Sequence, residues 1–163
     1  MAGTTAFALS RRFSQLVGRK VTFVQSLPTP ASKLAQIYGI YTVLPQKSAV
    51  VVKGDLRLLG SIAGALVGLP DPEVMNHLAA NPMEELMRDA IYEVLNIAAA
   101  TISTEGRAVF TKMVTDPTLI EGVAEETLKK PFRRSYFSVS MDGYQGGTFC
   151  IFSQFVPLEV AQP

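Results

Sequence analysis

Apolar residues recur along residues 81–103 at the spacing of one face of a helix. They are Met83, Met87, Ile91, Val94, Ala98 and Ile102. Because side chains three and four residues apart lie on the same side of an α-helix, this face is predicted to enter a hydrophobic core. Asn81 is predicted to be the N-cap, and Pro82 follows at the first helical position, where its missing N–H costs little.

The opposite side of this predicted helix is polar or small. It carries Asp89, Glu93, Asn96, Ala100 and Ser103, which we expect to face outward. Glu93 and Asn96 are three residues apart, so a carboxylate and a carboxamide stand side by side. Asparagine is a poor helix former, and its presence in mid-helix indicates a role other than folding. An ordinary solvated face is the alternative that spacing alone leaves open.

The rest of the chain alternates between short helices and strands. Helices are predicted over residues 5–17, over residues 55–67 and from residue 71, and strands over residues 20–25, 34–43, 48–53, 108–114, 135–141 and 148–156. Asp55 is expected to cap the second helix, Gly39 to mark a β-bulge, and the Gly-rich residues 142–147 to form a hairpin turn. Residues 123–130 could be assigned to neither pattern.

Antiparallel hairpins interrupted by three or four helices predict an α+β fold, in which an antiparallel sheet packs against long helices on one face. The 163 residues are expected to form one domain, and 48% hydrophobic residues argue against disorder. Gly60 and Gly64 are four apart in one predicted helix. The residues around these glycines match neither a membrane-helix dimerisation motif nor a phosphate-binding loop. The two glycines therefore predict that another element packs closely against this helix.

Charge is unevenly distributed along the chain. Residues 1–54 hold seven basic and no acidic residues, whereas residues 55–128 hold four basic and twelve acidic ones. Arg11 and Arg12 are compatible with a transit peptide, but the helical spacing around them favours a core-facing helix, and we expect a cytoplasmic protein. A second basic cluster over residues 129–134 has little aromatic interleaving, so no nucleic-acid partner is expected. No apolar run is long enough to predict a membrane span.

Few residues are suited to covalent or metal chemistry. Cys150 is the single cysteine and His77 the single histidine, which disfavours a catalytic triad, a Cys–His pair or a histidine-based metal cluster. Cys150 is expected to be a buried small hydrophobic residue. Nucleotide-binding and acyl-enzyme signatures are absent from the sequence. We therefore expect neither a metal site nor a bound cofactor in this chain.

The order of these segments resembles the CheC/CheX/FliY family of chemotaxis proteins, and most closely its CheX-type members. The resemblance covers about residues 34–156: a strand (SAVVVKG), a Gly-containing helix ending in GLP, the helix MEELMRDAIYEVLN, the segment DPTLIEG and a closing hairpin. Its most specific element is Glu-x-x-Asn, here Glu93 and Asn96. The first helix has no Glu, so the resemblance implies one site per chain and a homodimer.

The resemblance further implies hydrolysis of the aspartyl phosphate on a CheY-like receiver domain. Asn96 would orient the attacking water, because a neutral carboxamide does not repel a phosphoryl dianion, and Glu93 would contact the receiver's active-site lysine. The receiver would supply its own Mg²⁺. Asp89, Tyr92, Ala99 and Ala100 would border the docking surface.

This sequence departs from the family's pattern beside the Glu-x-x-Asn pair. The family has small residues where this chain has Tyr92 and Leu95. Both are expected to flank the site and to narrow access to Asn96. A non-catalytic receiver-binding or scaffold protein, and an unrelated interaction module in which the pair is inert, therefore remain as alternatives.

Overall fold

The computed structural model describes residues 6–28, 35–80, 84–102 and 106–154. The α-helices are α1 (Ala6–Val17), α2 (Leu56–Val67), α3 (Asp71–Ala79), α4 (Glu85–Ile102) and α5 (Val123–Lys129). The strands are β1 (Val21–Gln25), β2 (Gln36–Leu44), β3 (Ser48–Asp55), β4 (Arg107–Val114), β5 (Arg133–Met141) and β6 (Tyr144–Ser153). A short 3₁₀ turn, Pro117–Leu119, precedes α5. No helix in the described part of the chain combines the length and apolarity needed to span a membrane.

The strands form one six-stranded sheet in the order β1-β5-β6-β3-β2-β4, and every pairing in it is antiparallel. The predicted α+β fold is therefore confirmed. The main core lies on one face of the sheet, where α1, α2 and α4 bury their apolar sides. Leu9 and Phe13 enter it from α1, and Ile91 and Val94 from α4.

The expectation that all helices share one face of the sheet is wrong for α5. A second cluster on the opposite face consists of Tyr38, Val51, Val114, Ile120 and Ala124. Alternate residues of a strand point to opposite faces, so the almost continuously apolar β3 can serve both clusters. The segment that the sequence left unassigned is the helix that covers this second face.

Glycines in α2 allow a neighbouring helix to approach closely, as predicted. A Cβ at Gly60 would come within 2.7 Å of Leu78, and one at Gly64 would overlap Val74, both on α3. Gly68 ends α2 in the left-handed conformation with φ 84°. Close packing of α3 on α2 therefore depends on the absence of side chains at these two positions.

Three local predictions need correction. Asp55 precedes α2 but makes no side-chain capping bond; it is buried and accepts hydrogen bonds from Gln36 Nε2 at 2.6 Å and from the Thr148 backbone N–H at 2.8 Å. The pairing of β2 with β4 shifts between Ile40 and Tyr41, where Thr111 of β4 is the extra residue, so the bulge lies in β4 and not at Gly39. The closing hairpin turns at residues 142–143, and the two following glycines already belong to β6. The first two differences reflect partners distant in sequence, which local spacing does not reveal.

Candidate functional site

Helix α4 is a rigid rod with one buried side and one exposed side. Met87, Ile91, Val94, Ala98 and Ile102 are buried, as predicted. Asp89, Glu93, Asn96 and Ala100 are all exposed. We call these four residues the outer ridge of α4. Asn81, Pro82, Met83 and Ser103, on which the predicted ends of the helix rested, lie outside the described residues.

Leu95 does not narrow access to Asn96, contrary to expectation. Its side chain is only 1% exposed and packs into the core, where a Cβ at Gly39 of β2 would lie 3.2 Å from its Cδ2 atom. Its carbonyl oxygen accepts a hydrogen bond of 2.6 Å from the buried Tyr41 hydroxyl. A helix rotates about 100° per residue, so a side chain adjacent in sequence to an exposed one can point into the core. Leu95 thus anchors the helix directly beside Asn96.

Tyr92 lies at the border of the ridge and is 45% exposed. Its ring packs edge-to-face on Phe110 of β4, with ring centroids 4.8 Å apart. This contact directs the tyrosine toward β4, on one flank of the helix. Asn96 remains exposed beside it. The structure therefore places Tyr92 next to the ridge without covering the carboxamide.

Asn96 lines a surface depression of about 390 Å³ between α4 and the start of β4. The depression is also lined by Ile97, Ala99, Ala100, Gly106, Arg107 and Ala108. Small residues make up much of its wall, and Arg107 contributes the one cationic side chain among these residues. Arg107 was not predicted as a site residue, because its position near α4 depends on the pairing of β4 with β2.

A second depression of about 410 Å³ lies on the other side of Ala100, between α4 and α1. It is lined by Phe7, Arg11, Arg12, Gln15 and Thr101, besides Ala8 and Ala100. The Arg12 Nε donates a hydrogen bond of 3.2 Å to the Thr101 hydroxyl, which holds the guanidinium over the end of α4. Arg11 and Arg12 thus form part of a surface next to the outer ridge.

Charge changes sign along the exposed side of α4. Glu85, Asp89 and Glu93 are exposed along the first two-thirds of the helix, with Arg88 among them. Arg12 and Arg107 flank its last turns from opposite sides. Asn96 lies between the acidic part and the two arginines. A partner that docks over Asn96 would meet carboxylates at one end and guanidinium groups at the other.

The other candidate reactive residues lie elsewhere. Cys150 is on β6, and burial raises the pKa of its thiol to about 11, so it is protonated near neutral pH. The His77 side chain on α3 contacts the Glu84 carboxylate before α4 begins. Within the described ranges, no group of three His, Cys, Asp or Glu side chains is arranged to hold a metal ion.

The amino-acid sequence matches no protein-family model and no curated protein. Solved structures match at the level of the fold. FliY from Thermotoga maritima aligns with a TM-score of 0.55 and 11% identity, over 89% of this chain and 81% of that one. The FliM middle domain from H. pylori aligns with a TM-score of 0.55 and 13% identity, over 95% and 88% of the two chains. A structure of a FliM–SpeE complex from H. pylori matches with a TM-score of 0.54 and 11% identity, over 95% and 84%. The fold predicted from the resemblance to the CheC/CheX/FliY family is thereby confirmed.

Proposed function

We propose that this chain binds the phosphorylated form of a CheY-like receiver domain and hydrolyses its aspartyl phosphate. The observation that carries the proposal is the position of Asn96. It is an exposed carboxamide on a rigid helix, next to exposed Glu93 and at the edge of an open depression. The shared fold with FliY supports this assignment at the level of architecture.

In the proposed reaction, a water molecule attacks the phosphorus atom in line with the bond to the aspartyl oxygen. That bond breaks, inorganic phosphate leaves, and the receiver's aspartate is regenerated as a carboxylate. Asn96 accepts a hydrogen bond from the water through its amide oxygen and holds it on the attack line. Positioning of this kind is worth about a hundredfold or more in rate, and an uncharged amide does not repel the anionic phosphoryl group.

Glu93 has a docking role in this proposal. Its carboxylate pairs with the receiver's active-site lysine and so fixes the register of the two proteins. Ala99 and Ala100 allow close approach, while Asp89 and Tyr92 border the contact surface. The receiver brings the Mg²⁺ that neutralises the phosphoryl oxygens. Because the substrate is a receiver domain, the proposed site of action is the cytoplasm.

The rigidity of α4 supports a positioning role for Asn96. The preceding residue, Leu95, is fixed in the core on its side-chain side and bonded to the Tyr41 hydroxyl on its backbone side. A water-orienting group is useful only if it does not itself move during the reaction. We further propose that the chain acts as a homodimer with one such site per subunit, which sedimentation equilibrium would test by measuring its mass in solution.

A non-catalytic role in binding a receiver, or as a scaffold, is the second candidate. The fold is shared equally with FliM, which has been solved in a complex with SpeE. In this role the ridge of α4 would serve as a contact surface, and Asn96 would have no part in hydrolysis. The two candidates differ in whether a bound receiver loses its phosphate faster.

The test is a panel of receivers from the same genome, each phosphorylated in the presence of Mg²⁺ and mixed with this protein. We expect faster phosphate loss for at least one receiver, and Asn96→Ala abolishes the acceleration without altering the melting temperature. Gln15→Ala is the matched control, since it removes another exposed helix carboxamide, on α1. Binding without acceleration for every receiver would instead establish the scaffold role.

The role of Glu93 is tested in the same assay by varying the protein concentration. We expect Glu93→Ala to raise the concentration needed for half-maximal acceleration more than it lowers the maximal rate. Glu85→Ala, which removes another exposed carboxylate from the first turn of α4, serves as the control. The opposite ranking for Glu93→Ala would show that this residue acts in the chemical step.

A further inference from the structure

The depression between α1 and α4, which we call the α1 groove, adjoins the candidate site. It has a volume of about 410 Å³, and Ala100 lines both this groove and the depression at Asn96. Asn96 and Ala100 are one helical turn apart on the exposed side of α4, a rise of about 6 Å. A protein that covers Asn96 therefore meets the α1 groove directly beside it.

Helix α1 presents an aromatic ring and two guanidinium groups to this groove. Phe7 and Arg11 are four residues apart and so lie on the same side of the helix, with Arg12 next to them. Phe7 is 75% exposed, so its ring contributes little to folding through burial. Aromatic and arginine side chains are enriched where protein surfaces bind each other. The groove therefore has the composition of a contact surface.

Helix α1 is anchored to the sheet beneath this surface. The Ser10 hydroxyl accepts a hydrogen bond of 2.8 Å from the Phe23 backbone N–H of β1. One turn later, the Ser14 hydroxyl accepts a bond of 2.9 Å from the Val21 backbone N–H. A partner that binds the exposed side of α1 therefore does not have to order the helix, which lowers the entropic cost of docking.

The charge of the α1 groove favours an acidic partner. Arg11 and Arg12 line it, and no acidic residue is among its described lining residues. The bond of 3.2 Å from Arg12 Nε to the Thr101 hydroxyl holds one guanidinium at the wall and uses only one of its five N–H donors. In a twofold dimer centred on the groove, the arginines of one copy would face those of the other. An acidic surface of another protein fits better than a second copy of this chain.

The usual size of an interface indicates that a receiver docked over Asn96 reaches the α1 groove. Specific complexes bury about 800 Å² on each partner and involve about 20–30 residues per side. The outer ridge of α4 supplies four residues, so the contact must extend onto neighbouring elements. Beyond Ala100, the surface that continues the ridge is the exposed side of α1.

We infer that the α1 groove is a second docking surface for the receiver, where Phe7, Arg11 and Arg12 bind an acidic, partly apolar patch outside the phosphorylation site. The inference rests on the proposed function, because it assumes that a receiver docks over Asn96. It assigns to α4 the action on the phosphoryl group, and to α1 a part of the affinity that does not depend on phosphorylation.

The experiment measures the dissociation constants of the genome's receivers, with and without bound beryllofluoride and Mg²⁺, a stable substitute for the phosphoryl group. Phe7→Ala and Arg11→Glu are each expected to weaken binding about tenfold, and equally for both receiver forms. The effect of Arg11→Glu should decrease as salt is raised from about 0.05 M to about 0.5 M, because salt screens exposed charges. The effect of Phe7→Ala should persist.

Phe132→Ala and Arg134→Glu are the matched controls. Phe132 is 56% exposed and Arg134 is exposed, and neither is among the described lining residues of the two depressions. Arg134→Glu changes the net charge as much as Arg11→Glu does. We expect both controls to bind like wild-type protein. In the hydrolysis assay, the two groove variants should raise the concentration needed for half-maximal acceleration more than they lower the maximal rate.

Four results would overturn the inference. Wild-type affinity in either Phe7→Ala or Arg11→Glu would exclude the groove as a receiver contact, and an equal loss in the matched controls would show an unspecific effect. A loss confined to the beryllofluoride form would place these residues at the phosphoryl group instead. If Phe7→Ala converted a dimer to a monomer in sedimentation equilibrium while receiver binding per subunit stayed unchanged, the groove would be a contact between copies.

The outcome is separate from the test of hydrolysis, because binding is measured without turnover. Asn96-dependent hydrolysis with wild-type affinity in both groove variants would refute only the role of the α1 groove. Groove-dependent binding without hydrolysis would retain that role in a scaffold. Failure of the wild-type protein to bind any receiver of the panel would overturn this inference together with the proposed function.

Discussion

The hydrogen bond from Tyr41 to Leu95 links the sheet to the helix that carries the candidate site. The Tyr41 side chain is 0% exposed, and its hydroxyl donates to the Leu95 carbonyl oxygen at 2.6 Å. Burial raises the pKa of this hydroxyl above its ordinary value near 10, so it is a protonated donor at neutral pH. Tyr41→Phe removes this donor and leaves the aromatic ring in place.

The expected loss of stability depends on which hydrogen bonds remain after Tyr41→Phe. The carbonyl oxygen of Leu95 lies within α4 and keeps an acceptor role in the helix, so the substitution leaves no buried group without a partner. The loss should therefore match one net hydrogen bond, about 1 kcal/mol. For a chain of this length, that corresponds to a decrease in melting temperature of about 2–4 °C.

The assay is urea unfolding of Tyr41→Phe beside Tyr38→Phe. Tyr38 is in the same strand and belongs to the cluster on the opposite face of the sheet. It is a matched control, since no hydrogen bond of its hydroxyl is seen within the described residues. We expect a lower urea midpoint for Tyr41→Phe and little change for Tyr38→Phe. Equal midpoints for the two variants would refute the view that this bond anchors α4 beside Asn96.

Three further predictions test the packing around the site and the core. Gly64→Ala should destabilise the protein by about 1–3 kcal/mol, because the new Cβ overlaps Val74. In urea unfolding, the double variant with Val74→Ala should lose less stability than the sum of the two single variants. Tyr92→Ala should cost about 1 kcal/mol through loss of the contact with Phe110. It should leave the maximal rate of receiver dephosphorylation at least as high as in wild type, because Tyr92 borders the contact surface without covering Asn96; a large decrease in this rate would show that the tyrosine contributes to the chemical step. Cys150 should react with iodoacetamide at pH 8 far more slowly in the native protein than in urea, because burial raises the pKa of its thiol to about 11. Equal alkylation rates in the two states would contradict this burial. The raised pKa also means that the free energy of unfolding falls as pH rises above about 9 toward 11.

Local spacing was sufficient to predict the two sides of α4. The buried positions and the exposed Glu93 and Asn96 follow from a 3.6-residue period in one long helix. The close packing at Gly60 and Gly64 was predicted for the same reason, since residues four apart share a face of α2. The roles of Glu93 and Asn96 in hydrolysis stay predictions.

Features that depend on contacts distant in sequence were not predicted. Arg107 reaches the depression because β4 pairs with β2 beside α4, and no local pattern encodes that pairing. Leu95 was assigned to the wrong side of the helix border, although it lies four residues after Ile91 and three before Ala98 on the buried face; in the structure it packs beside Gly39 of β2. Asp55 has the sequence position of a helix cap but is held instead by Thr148, 93 residues away.

Single-turnover hydrolysis of a receiver's aspartyl phosphate tests the role of Asn96 most directly. The phosphorylated receiver is separated from its phosphate donor and mixed with an excess of this protein in Mg²⁺, and the release of inorganic phosphate is followed over time. We expect wild-type protein to accelerate release by about a hundredfold or more and Asn96→Ala to return it to the rate of the receiver alone. Equal acceleration by wild-type protein and Asn96→Ala would contradict the assignment of this carboxamide as the group that orients water.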